Sequence, residues 1–474
     1  MVKNLTILGK QLFLVFFPLL LAMVSVTSCF LIDGPRYEFS RADLDKYVEL
    51  TSQPTTLSDG KAVYFDLSNG MNSAYADANG KAVLQNVINC VAGKNDIQYF
   101  GLANNQITSI EKSHTELYNY LLNPKTYSQI SAPVQKTLEE IVAKNQPALL
   151  LTDYEEYNGG VVQKAAYAKE AFTQWLKNGN TITFYKWNFT ESGKEKMMFL
   201  TVFDDNLNRL GSLIESAVRG LDKYVLGGKN FAFPVCTKYP STTQGGNYRN
   251  GKGVDAVTVV LEKGDAQSYK SYCESLAVAG GNGAYTPLNM GVGAMAEYYP
   301  FCESWENILN NSVAMSSEEI PEEDRFTHLL SNLYVDLEAQ QGYNVSGIEV
   351  RVFDMMQAME MCAEENVDAK AVQAQTGVQV FDFLTATTEK ENNLTKVSVD
   401  FDQKFKALKK YAGALYRADI VISAATSRID DAKAFFSWEG NPSLSSSVEQ
   451  VLLDAACNPQ GRVLYTYYIK NMAY

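Results

Sequence analysis

The chain has very little histidine, the residue that most often builds zinc sites and activates nucleophiles. Only His114 and His328 occur among its 474 residues, and they lie far apart in the sequence. Two histidines are too few for a zinc site with several imidazole ligands, and they argue against a nucleophile activated by histidine. We interpret both histidines as ordinary surface or helix residues.

Cysteine is sparse as well, with seven residues and no C-x-x-C pair. Six of the seven follow Cys29, which is too few for a disulfide scaffold in a chain of this length. We expect a disulfide between Cys273 and Cys302 and leave the pairing of the other cysteines open.

Positive charge is also in deficit, because 41 Lys and Arg residues face 54 Asp and Glu residues, giving a formal charge of −13. Nucleic acids and anionic lipid surfaces attract basic proteins, so this balance argues against both as partners. It favours cations or neutral ligands. We predict no nucleic-acid partner.

A long apolar run occurs only at the N-terminus. The stretch "QLFLVFFPLLLAMVSV" follows Lys3 and Lys10 and precedes small residues, which is the order of a secretory signal. An uncleaved membrane-spanning start is the alternative, but Pro18 and the shortness of the run favour a cleaved signal.

The end of this signal carries a second pattern. Val26-Thr27-Ser28-Cys29 resembles the lipobox of bacterial lipoproteins. The resemblance implies a signal peptide over residues 1–28 and lipidation of Cys29. We therefore expect a lipid-anchored cell-envelope protein, at the outer membrane or the periplasmic face of a bacterial membrane, with its folded part in water.

The remaining length of about 445 residues suits two or three domains. Residues 29–58 are predicted to form a tether that contains a short helix behind Ser40. Residues 59–228 alternate strands with helices, which predicts an α/β domain with a doubly wound, mostly parallel sheet covered on both faces. Residues 229–474 are predicted to form a β-rich, sandwich-like region of one or two domains with helical insertions.

Within the second half, the insertions are expected at three places, roughly 266–277, 326–341 and 355–365. The runs between them contain β-prone residues and turn residues, which predicts short strands. One of these predicted strands is "KAFFSWEG", residues 433–440.

Two aspartates mark predicted strand ends in the first domain. Asp66 closes "KAVYFD" and Asp153 closes "PALLLTD". Ligands of open parallel sheets bind outside the carboxyl ends of the strands, so we expect the two carboxylates to converge there. With the hydroxyl of Ser68 they form a hard oxygen site suited to magnesium, manganese or calcium. In the metal-free alternative, both aspartates satisfy backbone N–H groups of turns.

These residues resemble the von Willebrand factor A-like domain. That family builds a metal-ion-dependent adhesion site from a DxSxS turn after the first strand, a threonine of a middle loop and an aspartate in a "TD" turn after the fourth strand. Asp66-Leu67-Ser68 and Thr152-Asp153 match the first and last elements. The resemblance covers about residues 61–225 and implies these ligands for Mg, Mn or Ca: Asp66, Ser68, Thr126 and Asp153.

The chain also departs from the family pattern. Ser128 is an alternative to Thr126 as the middle hydroxyl. Gly70 stands where the second serine is expected and supplies no side-chain oxygen, so the site is a degenerate one. Tyr154 stands where the family often has glycine, and it precedes the acidic pair Glu155 and Glu156. These acids either compensate for the lost oxygen or lie in a solvated loop.

Three function classes remain open from the sequence. The first is a binding or scaffolding lipoprotein that presents its strand ends to a protein or peptide carboxylate in the cell envelope. The second is a metal-dependent hydrolase that uses Asp66, Asp153 and Glu155, against which the scarcity of histidine weighs. The third is a structural component of an envelope complex.

Overall fold

The computed structural model describes most of the chain between residues 41 and 471. The signal peptide, Cys29, His328, Cys273 and Cys302 lie outside the described residues. Within the described part, no helix combines the length and the apolar character needed to cross a bilayer. The described ranges are 41–51, 57–238, 248–249, 293–298, 332–401, 415–438 and 441–471, with short internal gaps at 93, 95, 128–130, 159, 206–207, 376, 380–383 and 392.

The first half is built on a seven-stranded sheet with the strand order β3-β2-β1-β4-β8-β7-β9. Strand β1 pairs in parallel with β2 and β4, and the other neighbours pair antiparallel. The predicted α/β class is confirmed, and the sheet is mixed, since four strands run one way and three the other. Its strands are β1 (Lys61–Asp66), β2 (Ile97–Ala103), β3 (Gln106–Ser109), β4 (Ala148–Thr152), β7 (Thr181–Glu191), β8 (Lys194–Asp204) and β9 (Asp222–Gly227).

Both faces of this sheet are covered, as the sequence predicts. Side chains of one strand alternate between two apolar cores, so that Tyr64 and Leu150 lie in one core and Phe65 and Leu151 in the other. The uninterrupted burial of β4 fits its central place between β1 and β8. The helices of this half are α2 (Met71–Ala76), α3 (Ala78–Val91), α4 (His114–Leu122), α5 (Val134–Lys144), α6 (Lys169–Lys177) and α7 (Arg209–Ile214).

The second half contains two five-stranded sheets, which confirms its β-rich character. Their orders are β11-β10-β13-β17-β16 and β12-β19-β18-β14-β15, and all pairs except β12 with β19 are antiparallel. The strands are β10 (Val235–Lys238), β11 (Tyr248–Arg249), β12 (Gly293–Tyr298), β13 (Asn332–Val335), β14 (Tyr343–Asp354), β15 (Val378–Gln379), β16 (Leu384–Glu391), β17 (Leu394–Phe401), β18 (Leu415–Ser427) and β19 (Val463–Asn471).

Two local predictions in this half are wrong. Residues 332–341, the described part of the helix expected over residues 326–341, contain β13 and no helix, because pairing with β10 and β17 outweighs the helical spacing. The first four residues of the strand expected over residues 433–440 belong instead to the helix Ile429–Phe436, which buries Ala432 and Phe436 one turn apart. The insertion at 355–365 is a helix as predicted, and the one at 266–277 lies outside the described residues.

The helices near the C-terminus extend the core of the first half. They are α10 (Ile429–Phe436) and α11 (Ser443–Leu453). The Phe436 ring lies 4.9 Å from Phe184 and 5.0 Å from Tyr224, measured between ring centroids. Packing therefore crosses the boundary expected after Gly228.

The segment assigned to a tether contains the predicted helix, α1 (Arg41–Thr51). This helix packs on the second half, against α8 (Met356–Ala363) and α9 (Ala369–Ala374). Tyr47 is buried there with Met359 and accepts a hydrogen bond of 2.9 Å from Arg417. The helix is therefore part of the folded protein.

Candidate functional site

The two predicted strand-end aspartates lie on neighbouring strands. Because β1 and β4 pair in parallel, Asp66 and Thr152 end at the same edge of the sheet. Thr152 Oγ1 donates a 2.7 Å hydrogen bond to Asp66 Oδ2, and the backbone N–H of Ser68 donates one of 2.8 Å to Oδ1. Asp153 follows Thr152 directly, and its Oδ1 accepts a 2.9 Å hydrogen bond from the backbone N–H of Glu155.

Both carboxyl groups are withdrawn from water, with Asp66 1% and Asp153 3% exposed. Burial raises the pKa of Asp66, while hydrogen bonds from Ser68 and Thr152 act in the opposite direction. Burial also raises the pKa of Asp153 well above its usual value, and the charges of Glu155 and Asp66 add to this. Two buried carboxylates that repel each other are costly unless a cation or a proton compensates them.

A buried phenol near these carboxylates lacks a hydrogen-bond partner. Tyr75 is 1% exposed, and its hydroxyl has no partner among the described residues. Burial and the charges of Tyr127, Asp66 and Asp153 raise the pKa of this phenol. A buried polar atom without a partner marks a place where a ligand or water supplies the missing hydrogen bond. This observation, together with the hard oxygen donors, fits a divalent cation with its water ligands.

The predicted middle threonine has a different contact. Thr126 lies in a one-turn 3-10 helix, Pro124–Tyr127, and its hydroxyl donates a 2.6 Å hydrogen bond to the carbonyl of Tyr120. The neighbouring Tyr127 lies close enough to Asp66 for the carboxylate to help raise its pKa, after burial. The described hydrogen bonds therefore bring Asp66, Ser68 and Thr152 together, and they direct the Thr126 hydroxyl to the preceding helix.

Glu155 and Glu156, the acidic pair after Tyr154, have different hydrogen-bond partners. The Glu155 side chain is 9% exposed and its carboxylate accepts hydrogen bonds from Lys196, at 3.0 Å, and from the Tyr157 hydroxyl, at 2.9 Å. Glu156 accepts a 3.0 Å hydrogen bond from the N–H of Gln135 at the start of α5, where a carboxylate stabilises a helix. Glu155 therefore belongs to the site, and Glu156 caps a helix.

Lys196 also binds a carboxylate that sequence reasoning missed. Its ammonium group lies 2.6 Å from Glu191, on the preceding strand of the β7–β8 hairpin. The turn of that hairpin is Ser192-Gly193, with φ of 51° and 80°, the two-residue turn that suits twisted strands. Because Glu191 pairs with Lys194, Glu191 and Lys196 are diagonal neighbours on one face. The "ESGK" turn in the sequence was the signal that could have revealed this pair.

The hairpin extends over the site because its strands are long. Phe199 pairs with Thr152, the last residue of β4, and Lys194–Met198 continue past that end of the sheet. Lys196 and Glu191 are thereby held beside the loop that carries Asp153 and Glu155.

The loop after Asp153 is fixed by a residue far away in the sequence. Asn441 is fully buried, and its side-chain N–H groups donate to the carbonyl of Tyr154 at 2.8 Å and to that of Asp153 at 3.4 Å. Tyr154 has φ of 60°, a conformation that glycine adopts at little cost, which explains why glycine suits this position. Sequence reasoning missed Asn441, since nothing in its local pattern points to a loop 287 residues away.

No group of three or more His, Cys, Asp or Glu side chains among the described residues is arranged to hold a metal ion. The donor set at the strand ends is therefore two carboxylates with neighbouring hydroxyl groups. Such a set suits a hard cation that keeps several of its water ligands.

No protein-family model, no curated protein and no solved structure matches the chain.

Proposed function

We propose that the chain is a lipid-anchored protein of the bacterial cell envelope that binds a protein or peptide partner through a divalent cation. In this proposal Cys29 carries the lipid and residues 59–228 form a von Willebrand factor A-like domain. The observation that carries the proposal is the pair of buried carboxylates, Asp66 and Asp153, at the carboxyl ends of paired parallel strands.

The residues of the strand ends would hold the cation. Asp66 and Asp153 would face it directly or through water, and Ser68 and Tyr75 would contribute hydroxyl groups. A bound Mg²⁺, Mn²⁺ or Ca²⁺ supplies positive charge and an open coordination position for a carboxylate of the partner. Thr152 keeps Asp66 oriented through its 2.7 Å hydrogen bond, and Asn441 holds the Asp153 loop.

Several features around the strand ends support a partner that is a protein. The β5–β6 hairpin, Tyr157–Asn158 with Val161–Val162, follows the Asp153 loop. Val161 of this hairpin is 67% exposed and offers an apolar contact to a partner. The negative charge of the chain favours a cation as the link to an acidic partner group.

Calorimetric titration tests the proposal. Mg²⁺, Mn²⁺ and Ca²⁺ are titrated into the full-length protein in detergent, and into Asp66→Ala and Asp153→Ala. We expect saturable binding to the unmodified protein and its loss in both variants. Asp368→Ala is the matched control, because this exposed-helix cap also accepts a backbone N–H but lies in the second half of the chain. Equal binding to all four proteins, or to none with all of them folded, contradicts the proposal.

A further inference from the structure

A lysine ammonium group stands among the carboxylates of the strand ends. Lys196 lies 3.0 Å from Glu155 and 2.6 Å from Glu191, and its side chain is only 17% exposed. Burial alone would lower the pKa of Lys196, but hydrogen bonds to Glu191 and Glu155 and the charge of Asp153 raise it overall. The group is therefore a permanent positive charge at neutral pH.

Glu191 approaches the position where the sequence pattern lost an oxygen. A methyl carbon added to Gly70 would lie 3.1 Å from Glu191 Oε1. The carboxylate of Glu191 thus occupies the space beside residue 70, and Lys196 holds it there. The absence of a side chain at Gly70 leaves room for this arrangement.

The charges around the ammonium group do not balance. Four carboxylates, those of Asp66, Asp153, Glu155 and Glu191, share one lysine in this region. The buried, unpartnered hydroxyl of Tyr75 lies near the first two. A lysine alone leaves net negative charge and an unfilled hydrogen bond, which a second cation at Asp66 and Asp153 would compensate.

We propose that Lys196 is a tethered cation that competes with a divalent ion for the strand-end carboxylates and so sets the affinity of the site. This inference rests on the proposed function and deepens it. Glu155 and Glu191 bind the ammonium group when no ion is present. A divalent ion at the strand ends is attracted by the same negative charges. The positive charge of Lys196 repels the ion and so weakens its binding.

The test compares Mn²⁺ binding to the full-length protein in detergent with binding to three variants. Lys196→Met removes the charge, Lys196→Arg keeps it, and Lys194→Met removes an exposed charge from the same hairpin. We expect Lys196→Met to tighten the Kd about tenfold or more, since a unit charge within a few ångströms has a large effect on a divalent ion. We expect Lys196→Arg and Lys194→Met to stay within about threefold of the unmodified protein.

A second readout is thermal stability. Without a divalent ion, Lys196→Met leaves Glu155 buried and unpaired, so we expect a lower Tm than in the unmodified protein. Millimolar Mn²⁺ should raise the Tm of Lys196→Met more than that of the unmodified protein. If Lys196→Met does not fold, Lys196→Gln removes the charge while keeping hydrogen-bond donors for both carboxylates, and the same criteria apply.

The outcomes separate this inference from the proposed function. Equal Mn²⁺ affinity for the unmodified protein and Lys196→Met overturns the inference and leaves the proposed function intact. A second outcome is Mn²⁺ binding to Lys196→Met, but not to the unmodified protein or to the double variant Lys196→Met/Asp66→Ala. This result supports the inference, because it shows that the lysine prevents divalent ions from binding at the strand ends. It overturns the proposed function, since the unmodified protein then binds no ion. Absence of binding to both folded proteins overturns both.

Discussion

The carboxyl groups of Asp66 and Asp153 occupy an environment where negative charge is unfavourable. Both are buried and burial raises both pKa values, to which the charge of Glu155 adds for each aspartate and the charge of Asp66 adds for Asp153. Their hydrogen bonds to Ser68, Thr152 and Glu155 recover only part of the lost hydration. In the protein without a metal ion, these buried charges therefore lower the free energy of unfolding. A bound cation, protonation or a neutral side chain at these positions removes this destabilisation.

This cost predicts a pH dependence of stability. The native pKa of each aspartate is raised, so the native state binds more protons than the unfolded state above about pH 4. The free energy of unfolding should therefore fall as pH rises from about 4 through the native pKa values. The double variant Asp66→Asn/Asp153→Asn lacks this contribution. Its free energy of unfolding should therefore rise relative to that of the unmodified protein as pH rises.

The measurement is urea unfolding of both proteins in a chelator between about pH 4 and pH 8. Addition of Mg²⁺ at the upper end should stabilise the unmodified protein and leave the double variant unchanged. The prediction is contradicted if the stability of the double variant relative to the unmodified protein stays constant or falls as pH rises across this range.

At the residue scale, the sequence predicts the site in part. Asp66, Ser68 and Asp153 could be placed because they end or follow apolar runs whose strands share an edge. Glu191, Lys196 and Asn441 could not, because their position depends on a hairpin register and on a helix that returns from the C-terminus. Tyr75 was missed since a tyrosine at helical spacing looks like any core residue.

The β7–β8 hairpin carries the charges that surround the site. Its turn needs two residues at positive φ, and Gly193 has φ of 80° with no atom near the place of a Cβ. We expect Gly193→Ala to lower the free energy of unfolding by about 1 kcal/mol through backbone strain alone. Ser192→Asn should raise it by a few tenths of a kcal/mol, since asparagine adopts this conformation more readily.

Urea unfolding measures both changes, and Gly461→Ala is the matched control. Gly461 has φ of 86° and equally open surroundings, but it lies in the turn before β19. It should lose the same stability as Gly193→Ala. Unchanged stability in Gly193→Ala alongside a loss in Gly461→Ala would mean that the Ser192-Gly193 turn is not formed as described.

At the element scale, strand and helix positions in the first half follow from periodicity and turn residues. Apolar runs such as Ala148–Leu151 and amphipathic helices such as Val134–Lys144 carry a clear local signal. The direction of β8 carries no such local signal, because two consecutive strands can pair with either orientation, and here β8 runs antiparallel to both β7 and β4. The prediction of a strand over residues 433–440 was wrong because aromatic residues favour strands locally, whereas packing on the sheet favours a helix here.

At the scale of the whole molecule, the two halves share a core. The helices α10 and α11 cover one face of the first sheet, where Phe436 contacts Phe184, Phe199 and Tyr224. The chain reaches this face after β18 and then returns to the second half to form β19. Sequence reasoning placed a boundary after Gly228 because composition changes there, and composition does not report which segments return to an earlier core.

This shared core predicts that residues 57–228 do not form a stable domain alone. The isolated segment would expose the apolar face that α10 and α11 cover, so we expect no cooperative unfolding transition and poor NMR dispersion. In the full-length protein, Phe436→Ala should cost about 3–5 kcal/mol for the same reason. A segment 57–228 with dispersed signals and a cooperative transition would contradict the shared core.

The central claim is that a divalent cation binds at the carboxyl ends of β1 and β4. Anomalous diffraction from crystals of the full-length protein soaked in Mn²⁺ tests it most directly, because the signal locates the ion itself. We predict one strong peak beside Asp66 and Asp153, at about 2.0–2.6 Å from a carboxylate oxygen or one water further away. No peak at these strand ends under saturating Mn²⁺, with the side chains arranged as described, would contradict the account.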